Sequence, residues 1–427
     1  MRSTAVLRIE RMEEAFQQTL AVWAAEHRAG LLGRSTDQRQ YIFAYDPAAT
    51  RPDSQISLTM PIRLESWNSR DLHPIFQMNL PEGALLEAIR RAVSKITGED
   101  DLTLLRITGG DQIGRNRFSL PADTVPGIVE TRESLEDMLS YPDTEELFHD
   151  LVSKYALRSG VSGVQPKVML AATERGTATI GGYIVKSWGS EYPQLAANEY
   201  FCMTAAKRAG LSVPEFHMSD NGGLFIMKRF DATSDGLPIG FEDMCSLQAL
   251  NTSQKYNSSY ERVARSIKDF VSHDHLQKAR EEFFVSLVLS MMVRNGDGHL
   301  KNFGVLYEQP GSPVTLAPTY DIVTTVAYLD KDVPALTLAG TKKWWSRKMM
   351  EKFAVANLSL TVGRVGQIFE QVAEAVTSTR ELLSAYATEH PEFSGIAEKM
   401  QKAWNTGVVD LAGKSSRIPA LPKKEFK

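Results

Sequence analysis

The chain has 427 residues, 43% of them hydrophobic and 23% charged, and a formal net charge of −4. That length allows two or three units with their own cores, and the negative balance argues against a protein that grips DNA alone, since neutralising phosphates dominates such binding. Its two cysteines, Cys202 and Cys245, sit in apolar surroundings, which excludes a disulfide framework and points to buried thiols. No apolar run reaches the roughly 18 residues of a membrane helix, and Arg8, Glu10, Arg11, Glu13 and Glu14 stand where a signal peptide would be apolar. The expected location is the cytoplasm, with no membrane contact and no zinc site.

Residues 1–20 form an N-terminal extension in which Ala5, Ile9, Met12 and Phe16 share one side of an amphipathic helix. A small β-rich domain is expected over 21–125. Within it Tyr41–Tyr45 is a half-buried strand ended by Asp46-Pro47, and Pro81-Glu82-Gly83 opens a helix. The turn-rich stretch Pro121–Gly127 marks its boundary. Strands and helices alternate over 126–235, helical periodicity dominates 236–418, as in Arg364–Ala387, and 419–427 is a flexible tail with two Pro and three Lys. His273 and His275 flank Asp274 with no evident helix to pair them, so they are expected in solvent.

Five segments carry chemistry. Arg158–Lys167 is small and Gly-rich and runs into Val168–Ala172, a strand candidate; such a loop lets backbone N–H groups approach phosphates, or is an ordinary hairpin turn. Gly181–Lys186 is a β-type run ending in a lysine suited to nucleotide phosphates. The helix candidate Gln194–Arg208 carries Glu199, placed to orient Lys186. Leu224–Asp231 is an apolar strand suited to an adenine-binding hinge. After the apolar helix candidate Phe283–Val293 comes Asn295–Asn302, with Asp297 and Asn302 five positions apart, and Asp321 follows 24 residues after Asp297, behind the strand candidate Val314–Leu316. Phosphoryl transfer needs that order: a carboxylate to take the proton of an attacking hydroxyl, then an amide and a second carboxylate to hold magnesium. Asn-Gly and Asp-Gly are also strong turn signals, so the octapeptide is equally readable as a loop alone.

These segments, with Asn198-Glu199, Arg229-Phe230-Asp231, Glu242–Cys245, Tyr320-Asp321, Leu58–Pro61, Phe76–Gly83 and Ile107–Asp111, resemble the HipA-type serine/threonine kinase toxins of bacterial toxin–antitoxin systems, over nearly the whole chain from about Leu20. The resemblance implies an α/β (α+β) bilobal protein-kinase-like fold, with a small β-rich N-terminal domain, a kinase N-lobe and a mostly helical C-lobe. It implies ATP and Mg2+ as cofactors, Asp297 as general base, Asn302 and Asp321 as magnesium ligands, and Lys186 as the phosphate-binding lysine oriented by Glu199. Lys228, Arg229 and Phe230 match the nucleotide-binding hinge; Ser162, Gly163 and Val164 match the loop over the phosphates; His299 and Lys301 are placed to touch phosphates or substrate. Ser162 resembles the serine at which such kinases phosphorylate and silence themselves, and Ser159 shares or replaces it. A dianionic phosphate there would repel those of ATP.

The implied partners are a HipB-like helix-turn-helix antitoxin, operator DNA held mainly through it, and a protein substrate of the aminoacyl-tRNA synthetase class. The basic run Lys342–Lys348 is a solvated loop over two packed Trp or a nucleic-acid contact. Two other function classes stay open: a phosphotransferase acting on a small molecule, and a non-catalytic corepressor, against which the intact Lys186, Asp297, Asn302 and Asp321 count.

Overall fold

The computed structural model describes residues 16–82, 86, 100–110, 112–126, 134–155, 176–180, 182–233 and 235–412. The Gly-rich loop with Ser159, Ser162, Gly163 and Val164, the strand expected at 168–172, the first fifteen residues and the tail lie outside them.

The N-terminal unit is an antiparallel sheet of β1 (Phe16–Ala24), β2 (His27–Ser35), β3 (Tyr41–Tyr45), β4 (Trp67–Ser69) and β5 (Asn116–Ser119), in the order β4-β3-β2-β1-β5. The helix expected to reach Phe16 gives way to strand there, because β1 pairs on both sides, with β2 and β5. Alternation buries Leu20, Val22 and Ala24 against Phe43, Phe76 and Phe118. Two short helices, α1 (Pro74–Gln77) and α2 (Asp101–Thr108), close that core. Asp100 caps α2, accepting from the N–H groups of Leu102 (3.0 Å) and Thr103 (3.2 Å).

Next come α3 (Leu135–Ser140) and α4 (Thr144–Tyr155), then a four-stranded antiparallel sheet built from β6 (Gly176–Ile180), β7 (Tyr183–Ser187), β8 (Phe216–Met218) and β9 (Leu224–Lys228), ordered β6-β7-β9-β8. Helix α5 (Leu195–Arg208) follows β7 and packs on this sheet. The remainder is mostly helical: β10 (Gly240–Asp243), α6 (Met244–Leu247), α7 (Tyr260–Phe270), α8 (His273–Met292), the β11 (Gly304–Tyr307) and β12 (Thr315–Leu316) hairpin, then α9 (Arg347–Leu358), α10 (Val362–Glu389) and α11 (Ser394–Ala412). Helix α8 starts ten residues before the apolar run that revealed it, so His273 and His275 occupy its first turn. Its second half is buried all round, Phe283 to Met292, which makes it the central helix of the body. Cys202 and Cys245 are buried free thiols. Trp345 of the basic run is buried, while Lys342, Lys343 and Lys348 are exposed.

Helix α11 crosses the C-terminal end of α8 at Gly407, where a Cβ would run into the Met292 backbone. Gly407→Ala therefore pushes on the end of the helix that launches the Asn295–Asn302 loop. Thermal or urea unfolding should show a loss of about 1–3 kcal/mol, the usual cost of overpacking; wild-type stability would mean that the crossing relaxes freely.

Candidate active site

The loop after α8 folds by local rules. Arg294 takes a left-handed φ of 58°, and Asn295 then makes an Asx turn, its side-chain oxygen accepting from the Asp297 N–H at 3.1 Å. The His299 N–H donates to Asp297 O (2.8 Å) and to Asn302 Oδ1 (2.9 Å), and the Tyr260 hydroxyl donates to Gly298 O (3.1 Å). Gly296 has no room for a Cβ, because the Asp332 carboxylate and Thr325 hydroxyl lie against it, and its N–H donates to Thr325 Oγ1 at 2.8 Å. The loop is thus clipped to the segment that follows Asp321.

Lys186, on β7, lies between two carboxylates. Its ammonium is 2.7 Å from Glu199 Oε1, on α5, and 2.7 Å from Asp321 Oδ1. Asn302 Nδ2 donates to the other oxygen of Asp321 at 2.5 Å. Asp321 itself has φ of 61°, a strained conformation that Asp tolerates better than most residues and that clusters at functional sites. Asn198 registers the two elements: its amide donates to Thr324 O (3.1 Å) and accepts from the Thr324 N–H (2.8 Å), while Trp404 Nε1 donates to the Thr324 hydroxyl (2.7 Å). The neighbour of Glu199 in sequence therefore locks the helix to the turn that bears Asp321. Asn198 stood beside Glu199 in the sequence with no role of its own, and its partner lies 126 positions away.

Burial depresses the Lys186 ammonium, but its two carboxylates more than reverse this and hold it protonated. Glu199 is fully buried, and burial pushes it up to about 7 against the pull of Lys186. Its Oε2 has no hydrogen-bond partner among the described residues, so of the two carboxylates sharing one cation it is the less compensated. Asp321 is the one facing solvent, with 37% of its side chain exposed; burial would raise it, yet Lys186 holds it below its ordinary value. Burial, with the Asp321 charge behind it, pushes Asp297 up to about 6, and a 2.8 Å hydrogen bond from the Tyr256 hydroxyl to Oδ1 works the other way. Burial lowers His299 to about 4, so its imidazole is neutral at pH 7, and Nδ1 lacks a partner among the described residues.

Arg229 and Lys301, both matched to the nucleotide site by resemblance, each pair with carboxylates. Arg229 makes a fork on Asp231 (2.9 and 2.6 Å) and donates to Gln112 O (2.6 Å), with Asp231 also accepting from the Gly114 N–H (2.7 Å). It braces the N-terminal unit, as does fully buried Glu242, which accepts from Ser57, Leu58 and Tyr307. The Arg229 N–H is used as well, donating to Gly182 O at 2.7 Å. Lys301 pairs with Glu82 (2.7 Å) and lies 3.8 Å from Asp243. Sequence alone gave no reason to pair Lys301 with these groups, since Glu82 and Asp243 lie on other segments, whereas Asp231 stands two positions from Arg229. Lys228 is exposed, 3.9 Å from Glu215. Phe230 stacks on Tyr320 with centroids 5.3 Å apart, beside Phe241.

A buried lysine shared by a helix glutamate and a loop aspartate, at the junction of a four-stranded sheet and a helical body, defines a two-lobed mixed α/β protein preceded by a small sheet unit. The chain belongs to the HipA family: the HipA N-terminal domain matches residues 20–119 and the HipA-like C-terminal domain residues 159–380. It is 29% identical over 335 residues to Y4dM of Sinorhizobium fredii (71% of this chain, 76% of the relative) and 27% identical over 380 residues to Y4mE of the same organism (79% and 86%), both provisionally named kinases. Its fold is similar to that of HipA from Shewanella oneidensis, solved with HipB and operator DNA, with a TM-score of 0.66 at 16% identity over 92% of this chain and 98% of that one. Among the described residues, no helix is long and apolar enough to cross a membrane.

Proposed function

We propose that this chain is a HipA-type toxin kinase that transfers the γ-phosphate of ATP to a serine or threonine hydroxyl of a protein. The observation that carries this is the convergence of Lys186, Glu199, Asn302 and Asp321, from four separate segments, into one bonded group beside Asp297. Lys186 neutralises the nucleotide phosphates once Asp321 turns to its other partners, and Glu199 keeps the ammonium in place. Asp297 takes the proton of the attacking hydroxyl.

The residues present fit magnesium. No group of three or more His, Cys, Asp or Glu forms a metal cage among the described residues, but magnesium is held by one or two carboxylates together with substrate phosphates. Asp321, the exposed carboxylate, and the amide oxygen of Asn302 would hold it. The chemistry it supplies when bound is neutralisation of phosphate charge.

The remaining assignments rest on the family. Ser162, or Ser159, is the self-phosphorylation site; the partner is a HipB-like antitoxin that carries the complex to operator DNA; the target is a translation protein of the aminoacyl-tRNA synthetase class; the site of action is the cytoplasm.

ADP formation from ATP and magnesium, followed against pH, tests the base. Asp297 acts unprotonated, so kcat/KM should rise about tenfold per pH unit below ~6 and level off above it. A rate that grows as pH falls through 6 would remove Asp297 from that role.

A further inference from the structure

We propose that Tyr256 is a gate on Asp297: its hydroxyl occupies the place of the acceptor hydroxyl, and the N-terminal unit holds it there through the turn 251–257. This rests on Asp297 being the base.

Three observations carry it. An acceptor must present an O–H to the Asp297 carboxylate, and the Tyr256 O–H already does so at 2.8 Å. The side chain is also able to leave, since Tyr256 is 40% exposed and its ring is steadied by edge contact with His299, centroids 5.0 Å apart, and by the Lys255 ammonium at 5.6 Å.

The third observation is the grip on the turn. Asn251 donates to Asp71 Oδ2 (3.2 Å) and accepts from Gln77 Nε2 (3.2 Å), the Thr252 N–H donates to Gln77 Oε1 (3.0 Å), and Lys255 pairs with Glu82 (2.8 Å). Asp71, Gln77 and Glu82 all belong to the N-terminal unit. On the inner side the Leu300 N–H donates to Lys255 O at 3.2 Å, and Glu82 pairs with Lys301 as well. One carboxylate of the N-terminal unit therefore holds both the gate and the catalytic loop. A partner that shifts the N-terminal unit biases Tyr256 between two states, seated on Asp297 or swung out, and only the second admits an acceptor.

Water is the acceptor that needs no identification. In hydrolysis the water oxygen bonds to the γ-phosphorus, the bond to the β–γ bridging oxygen breaks, ADP leaves and the water proton passes to Asp297. ADP release from the full chain with ATP and magnesium, and no protein acceptor, is measured from pH 5 to 8 for wild type, Tyr256→Phe, Glu82→Gln and Asp297→Asn. Phe keeps the ring contact and removes only the hydroxyl.

Tyr256→Phe should release ADP about tenfold faster, the fold-change of a hydrogen bond worth about 1.4 kcal/mol. Its acid limb should move to higher pH, because the hydroxyl no longer favours the ionised carboxylate. Glu82→Gln should shift both in the same direction by less. Tyr256→Phe releasing ADP no faster than wild type, with the limb unmoved and Asp297→Asn inactive, would overturn the gate and leave the base in place. Wild-type turnover by Asp297→Asn would instead overturn the base assignment, and the gate with it.

Discussion

Asp297→Asn should lose roughly two to four orders of magnitude in ATP turnover, the range that a positioned general base contributes. Asparagine has the same shape and still accepts the Tyr256 hydroxyl through its amide oxygen, so the loop built by Asn295 and His299 should persist. The same substitution should stabilise the fold. Burial and the Asp321 charge raise the Asp297 pKa, which means that the folded chain disfavours the carboxylate; this penalty is absent below the ordinary carboxylate value, grows as pH rises from there to the folded pKa of about 6, and is fully present above it. A neutral side chain removes it, so the melting temperature at pH 7.5 should exceed that of wild type and the difference should vanish near pH 4. Strain of this kind at a functional site is a common trade of stability for activity. Undiminished turnover in the variant, with or without the gain in stability, would mean that another group takes the proton.

Lys186→Met should be the most damaging single change to the fold among the site residues. It leaves Glu199, fully buried and already short of one partner among the described residues, without the ammonium it pairs with. Breaking a buried pair from one side costs about 3–5 kcal/mol, while replacing both partners with neutral groups costs far less. The double variant Lys186→Met/Glu199→Gln should therefore recover most of the urea midpoint lost by the single one. It should recover none of the ADP formation, because the phosphate-binding ammonium is still absent. If the double variant is as unstable as the single, Lys186 contributes by packing against Phe225, its ammonium 5.8 Å from the ring centroid, and the buried charge is not what matters.

The contrast between Asp297–Asn302 and Tyr256 explains what the sequence makes legible. Asp297, Asn302 and their turn lie within one loop, where Asn-Gly and Asp-Gly chemistry sets the backbone, so spacing alone exposes the geometry. Tyr256 is 41 positions from Asp297, and Lys255 is 173 from Glu82, with no periodicity linking them. Nothing in a linear pattern says that these groups meet. The same limit applies to Lys301: a lysine beside a nucleotide motif reads as a phosphate ligand until the fold shows which anion it meets. That anion is Glu82, on the N-terminal unit. Phe16, the last residue of the N-terminal stripe, shows local pattern overridden by tertiary pairing, since it opens β1, which pairs with β2 on one side and β5 on the other. The polar first half of α8 hid the true start of that helix, because an apolar run marks only the part of a helix that is buried all round.

Phosphate on the chain itself is the most direct evidence to seek. Purified wild type and Asp297→Asn would be incubated with ATP and magnesium and compared by intact mass and peptide mapping. One phosphate on the peptide containing Ser159 and Ser162 in wild type, and none in the variant, is the expected result. Wild type that binds ATP yet gains no phosphate, or a variant that gains it equally, would contradict a kinase working through Asp297.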